Sequence, residues 1–386
     1  MKKVIRIYYS DVLKTTEDTE IYQWLTERYT VIIDPINPDF LFYDIFGDDY
    51  KKFNNCVKIF LPTEDETADF NKCDYAAGFA HMQYGDRYFR RSFCLDELTP
   101  DIQDRSSVSE KLLNRKFCNF IYSNPCYGEG ALLRQEFCKK LMTYKHVDCP
   151  GRVLNNMNSN VIEDIYFNDW RESKRKFQSQ YKFTIAFEND ATDGWVTEKM
   201  PDAIRAFSVP IYYGDPNVNQ DFNSKSFINV ADFGFDLDKV VERIIELDND
   251  NQAYLEILKE SPLNQDFRFD GQERFKQWVF SIIEKGRKPF NKDPRHISCD
   301  KKRMRAIKNE YRIKHGIRND SYLEGNPNSK DFPFADLQMF LTDYKAKKFR
   351  LKKWRYKFLS KLLFGPLRKK YKEKYKQIKQ KIQEAR

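Results

Sequence analysis

The densest chemistry in this 386-residue sequence lies in a polar loop between two apolar runs. Over Tyr181–Pro216 the first run ends in Glu188-Asn189 and a glycine-containing loop follows. Thr197-Glu198-Lys199 then opens a helical segment, and the next apolar run ends in Tyr213-Gly214. Helix N-terminal amides and a nearby cation stabilise negative charge as it develops on a leaving group such as a pyrophosphate. Lys199 is a cation at a helix start, where the dipole favours acids. A bound anion explains that misfit, and a surface lysine in a first turn explains it equally well. A second group lies far upstream, where Glu64 follows the run Val57–Leu61 with Asp65 and Glu66 beside it. Crowded like charges raise a carboxylate's proton affinity, which suits a general base. An exposed acidic turn has the same composition.

Metal chemistry finds little support. Asp236-Leu237-Asp238 and Asp248-Asn249-Asp250 have the DxD spacing with which divalent ions hold a diphosphate. Both fall at apparent helix ends, where Asp is a common cap, and capping is the preferred reading. His81, His146, His296 and His315 are scattered, and the eight cysteines include no CxxC pair. No zinc site is expected, and free thiols in a reducing compartment are.

The elements that must position these residues follow an α/β pattern. Val4–Tyr9, Val31–Ile33, Phe40–Tyr43 and Val57–Leu61 read as strands, with a helical period over Glu17–Arg28. After a polar stretch, Asp101–Glu110, a second series follows. Phe117–Tyr122, Phe183–Phe187 and Val209–Tyr213 read as strands, and Ala131–Tyr144, Glu198–Phe207 and Asp236–Leu247 as helices. Two α/β sheets in tandem imply a cleft, with ligands beyond the carboxyl ends of the strands.

Charge is divided unevenly. The net +9 comes from 67 Lys/Arg against 58 Asp/Glu. Lys345–Arg386 holds 18 bases and two acids, a balance of +16, which leaves −7 for the rest. An acidic body does not suit nucleic acid, and no nucleic-acid partner is expected. In the tail, Leu351, Trp354, Phe358 and Leu362 fall at helical spacing, Gly365-Pro366 interrupts, and Leu367, Tyr371, Tyr375, Ile378 and Ile382 form a second stripe. A basic amphipathic helix with aromatic residues on its apolar face reads as an anchor to an anionic membrane surface, and a solvated or partner-packed helix is the alternative. Arg6 interrupts the N-terminal apolar stretch, so no secretory signal is expected, and no run is long enough to span a bilayer. The expected location is cytoplasmic, peripheral on the inner face of the cytoplasmic membrane.

The run FENDATDGWVTEKMPDAIRAFSVPIYYGDP resembles the signature of the α-1,3/4-fucosyltransferases. Other ordered blocks agree: FLPTEDETADF at Phe60–Phe70, Asp74–Phe79, Tyr84-Gly85-Asp86-Arg87-Tyr88, Tyr122-Ser123-Asn124-Pro125 ahead of a helix carrying Arg134, and Lys225–Val230. The resemblance is dense from about Val57 to Phe233 and fades beyond Asp266. It departs from the family at Trp195, where Tyr is usual, at Tyr213, where Trp is frequent, at Thr63 and Ala68, where Gly and Pro are common, and at Pro201.

The resemblance implies two Rossmann-like domains facing a cleft (the GT-B arrangement) and inverting transfer of L-fucose from GDP-fucose. Glu64 would be the base, with Glu66 in reserve. Arg134 and Lys199 would stabilise the GDP leaving group, and Glu198 would be a donor-site carboxylate. Asn189, Trp195, Val196, Thr197 and Tyr213 would bind the donor, with no metal or other cofactor. The acceptor would be the O3, or alternatively the O4, hydroxyl of an N-acetylglucosamine-type residue in an N-acetyllactosamine-like glycan, such as lipopolysaccharide or O-antigen. The expected spans are 1–112 for the acceptor-binding domain, 113–290 for GDP-fucose binding, 291–345 for C-terminal helices or a linker, and 346–386 for the basic tail. Another nucleotide sugar on the same scaffold, or a tail-driven scaffold protein, are the competing readings.

Overall fold

The computed structural model describes residues 2–12, 15–126, 128–157 and 170–286; the expected linker and basic tail lie outside them. The first sheet contains β1 (Val4–Ser10), β2 (Thr30–Ile33), β3 (Phe40–Tyr43), β4 (Val57–Phe60), β5 (Tyr75–Gly78) and β6 (Tyr88–Arg90). The order is β2-β1-β3-β4-β5-β6, and every pairing is parallel. β3 and β4 are buried at every residue, as parallel strands covered on both faces require. Helix α1 (Glu20–Arg28) starts where the Thr19 hydroxyl caps the Tyr22 N–H, three residues later than the periodicity suggested.

A short helix, α2 (Phe93–Asp96), leads to the second sheet. There the elements run β7 (Lys116–Asn119), α3 (Glu129–Leu141), β8 (Val147–Asp148), α4 (Trp170–Gln178), β9 (Tyr181–Phe187), α5 (Lys199–Arg205), β10 (Val209–Tyr213) and β11 (Ile228–Asn229). The order β11-β10-β9-β7-β8 is again wholly parallel. Strand order reverses between β7 and β9, and the carboxyl ends beside that reversal form the crevice where such folds take ligands. Helices α6 (Leu237–Asn249) and α7 (Asn251–Lys259) follow, and α8 (Gly271–Lys285) closes the described chain.

The span 113–290 drawn from the sequence does not coincide with one sheet. Phe275, Val279, Phe280, Ile282 and Ile283 of α8 pack in the core of the first sheet with Ile5, Ile7 and Leu25. Conversely, Leu95, Leu98 and Ile102 join Ala186, Met200 and Tyr212 on the second. Each sheet is thus covered partly by chain from the other side of the drawn boundary, because those apolar stripes find their complementary faces there. No described helix is long and apolar enough to cross a membrane.

Candidate active site

One carboxylate organises the loop after β9. Glu188 stands at the strand's carboxyl end, fully buried. Its Oε1 accepts from the Thr197 N–H and hydroxyl at 2.8 Å each, and its Oε2 accepts from Lys199 Nζ at 2.8 Å. Thr197 Oγ1 lies 2.7 Å from the same ammonium. Helix α5 begins at Lys199, and Glu198 makes no side-chain capping bond. Pro201 falls in its first turn, where the ring is tolerated. Burial opposes the Lys199 charge, but the Glu188 and Glu198 carboxylates outweigh it and raise the pKa above the usual lysine range. Burial would likewise raise the Glu198 carboxyl, yet Lys199 and Lys174 prevail and hold it at about 2. Lys174 Nζ stands 3.7 Å from Glu198 and 2.9 Å from Asp202.

The start of α3 is pressed against this strand end. Gly128 has φ +84°, and a Cβ there would meet the Asn189 carbonyl oxygen at 2.0 Å, so only glycine fits. The Gly130 N–H donates to that carbonyl at 2.9 Å. One turn on, Arg134 is 1% exposed, not solvent-facing. Its Nη1 donates to Asn189 Oδ1 at 2.8 Å and its Nη2 to the Asn124 carbonyl at 2.6 Å, with the guanidinium carbon 4.0 Å from the Tyr122 ring centre. These acceptors are neutral, and among the described residues Arg134 makes no ion pair. Burial lowers its pKa, but an arginine starting above 12 stays charged.

The first sheet supplies Glu64, in the loop after β4. Asp44, at the end of β3, pins that loop by accepting from the Thr63 N–H at 3.1 Å and hydroxyl at 2.6 Å. Glu64 is exposed as a residue, yet enough protein surrounds its carboxyl that desolvation raises the pKa. Lys199 opposes that rise, and Asp44 and Glu198 reinforce it. Glu64 is therefore within electrostatic reach of Lys199 and Glu198, between the carboxyl ends of the two sheets. Across the fold, like charge reaches it from Asp44 and Glu198. Asp65 accepts from Thr192 Oγ1 at 2.7 Å.

Arg134, Asn189, Thr197, Glu198, Lys199 and Glu64 converge. Trp195 is half-buried, its ring edge-on to Phe79 at 4.7 Å. Val196 is buried beside Leu95, Met200 and Ile204, and Tyr213 is buried against Phe187 and Phe235, so these two side chains support the site by packing. Glu188 was not among the residues singled out by sequence, although it stands inside the matching run.

The DxD pairs cap helices. Asp236 accepts from the Asp238 and Lys239 N–H groups at the start of α6, and Asp250 from Gln252 and Ala253 at the start of α7. Asp248 pairs with Lys145 and Lys182. Among the described residues, His81, Asp215 and Asp221 bring potential ligand atoms within 4.8 Å of one another. Arg90 already holds Asp221 with both terminal nitrogens, at 2.9 and 2.5 Å, so the trio belongs to an ion-pair cluster.

Chemically, a buried guanidinium and an ammonium fixed by a carboxylate stand beside one strand end, and a carboxylate of raised proton affinity faces them. That arrangement can hold a polyanionic leaving group on one side and accept a proton on the other.

Residues 7–95 match the α-(1,3)-fucosyltransferase FucT N-terminal domain, and residues 114–262 match the C-terminal region of glycosyltransferase family 10 (fucosyltransferase). The α-(1,3)-fucosyltransferase FucT of Helicobacter pylori is 32% identical over 305 residues, covering 69% of this chain and 60% of that relative. A crystal structure of an α1,3-fucosyltransferase superposes with a TM-score of 0.59 at 27% identity, covering 73% of this chain and 91% of that one. A crystal structure of α1,3-fucosyltransferase with GDP-fucose gives 0.57 at 27% identity, covering 74% and 91%. The chain belongs to the fucosyltransferases of glycosyltransferase family 10.

Proposed function

We propose that this chain transfers L-fucose, with inversion, from GDP-fucose to the O3 hydroxyl of an N-acetylglucosamine-type residue in a glycan. The observation that carries the reading is Arg134: a buried cation bonded to neutral acceptors, near an ammonium raised by its carboxylates. Burying a guanidinium whose hydrogen-bond acceptors are all neutral is costly, with only the more distant Glu188 carboxylate to offset it, and a bound diphosphate lowers that cost. Arg134 and Lys199 neutralise the departing GDP, while Asn189 and Thr197 hold the residues that touch it. Glu198 steadies positive charge on the sugar ring, and Glu64 takes the acceptor proton as the hydroxyl oxygen attacks. With two cations at the diphosphate, the reaction needs no divalent metal.

A donor panel tests the reading. GDP-fucose should support turnover with a small set of N-acetyllactosamine-type acceptors, and GDP-mannose and UDP-sugars should not. Linkage analysis of the product assigns O3 or O4. Turnover with another donor and none with GDP-fucose overturns it. The basic tail beyond Lys345 would hold the enzyme at an anionic membrane surface. Deleting residues 347–386 should abolish binding to phosphatidylserine-containing vesicles and preserve transfer to soluble acceptors.

A further inference from the structure

Adjacent residues of the loop after β9 reach across to the first sheet. Thr192 grips Asp65, next to Glu64, and Asp193 grips His81, in the loop beyond β5. The His81 N–H donates to Asp193 Oδ2 at 2.8 Å, and its Nδ1 lies 2.9 Å from Oδ1. Asn217 Nδ2 donates to the same carboxylate at 2.7 Å. On the other edge of the ring, Nε2 stands 3.7 Å from Asp221 Oδ2. Asp221 is held in turn by Arg90, whose Nε donates to the Phe79 carbonyl at 3.2 Å. Behind them Asp215 is 2% exposed and accepts from the Gly194 and Asn217 N–H groups at 2.8 Å each.

His81 and Arg90 come from the first sheet's chain, and Asp193, Asp215 and Asp221 from the second's. Neutral His81 leaves three carboxylates facing one guanidinium. Protonated His81 adds a second positive charge and lets both ring nitrogens donate. The loop tied down here continues through Thr197 to Lys199, and the loop tied by Thr192 carries Glu64.

We propose that His81 is a positioning residue for the transfer reaction: as an imidazolium between Asp193 and Asp221 it holds the donor loop in register with the Glu64 loop. This rests on the reading of Glu64 as base and of Arg134 and Lys199 as the GDP site. The charge state is favoured by its surroundings. Burial would lower the His81 pKa, but Asp193 and Asp221 outweigh it and, with Asp215 helping and Arg90 opposing, raise it to about 9. Because this exceeds the unfolded value of about 6.5, the latch is complete below that pH and is lost as pH rises through about 9.

The test compares the full-length enzyme with H81Q and D193N, reading transfer rate against pH and GDP affinity by calorimetry. Both variants should lose about tenfold to a hundredfold in kcat, as a misplacement of about 1 Å does. GDP affinity should change less than about threefold, since GDP is expected to touch only the second sheet's residues. The wild-type fall in kcat near pH 9 should be absent from H81Q. Unchanged kcat in both variants, an alkaline fall that persists in H81Q, or loss of GDP binding in either overturns the proposal. A divalent-cation requirement removed by H81Q also overturns it, assigning the trio to a metal. If H81Q does not fold, D193N and the wild-type pH profile decide. R134M, run alongside, separates the two levels: if it binds GDP like wild type, the donor-site reading has failed, whatever His81 does.

Discussion

Glu188 and Lys199 lie at opposite ends of the donor loop, and their charged atoms stand 2.8 Å apart. The pair closes the loop and fixes the ammonium beside Arg134. E188A removes the carboxylate bonded to a largely buried ammonium and leaves Glu198 as its charged neighbour, a loss of about 1–3 kcal/mol, read as a lower denaturation midpoint. E188Q keeps an acceptor for Thr197 and should lose less stability while still losing transfer. An E188A midpoint equal to wild type would show that the pair does not hold the loop.

Glu64 has the opposite character. Its pKa is raised, so the folded state favours the protonated form and ionisation near neutral pH works against stability. E64Q should therefore melt no earlier than wild type at neutral pH, yet lose at least about a hundredfold in kcat. In the wild type, kcat/KM should fall as pH drops through a value above that of an ordinary glutamate, and E64Q should lack that limb. An E64Q variant with wild-type activity would assign the proton to another group.

Gly194 lets the sheets' loops approach. Its φ is +73°, and a Cβ there would lie 2.0 Å from the Phe79 carbonyl oxygen. G194A must displace backbone on one side, at a cost of about 1–3 kcal/mol. Transfer should fall further than GDP affinity does, because the Trp195–Phe79 contact and the Thr192–Asp65 bond move with it. A G194A variant with wild-type stability and rate would show that the approach is not needed.

The strands bearing the site were legible because parallel strands buried on both faces are mostly apolar, as Val209–Tyr213 and Phe183–Phe187 are, with Thr184 the one polar side chain of the latter. The two-residue strands β8 and β11 carry no periodicity to read. Helix α8 has a clear apolar stripe, but periodicity does not say which sheet a helix will cover. The convergence of Glu64 with Lys199 was reachable only through the family resemblance, since 135 positions separate them in the chain. Glu188 reads in the sequence only as the end of a strand, because its partners, Thr197 and Lys199, lie across a loop that only folding closes. His81 and Asp193, 112 residues apart, offered no local signal at all.

Arg134 bears most of the proposed function. The direct measurement is the initial rate of fucose transfer from GDP-fucose in excess EDTA, for the wild type and R134M. Wild type should turn over at a rate unchanged by the chelator, and R134M should be slower by about a hundredfold to a thousandfold, the usual cost of removing one group that stabilises developing charge. Wild-type activity abolished by EDTA, or R134M activity equal to wild type, would contradict a leaving group held by the protein's own cations.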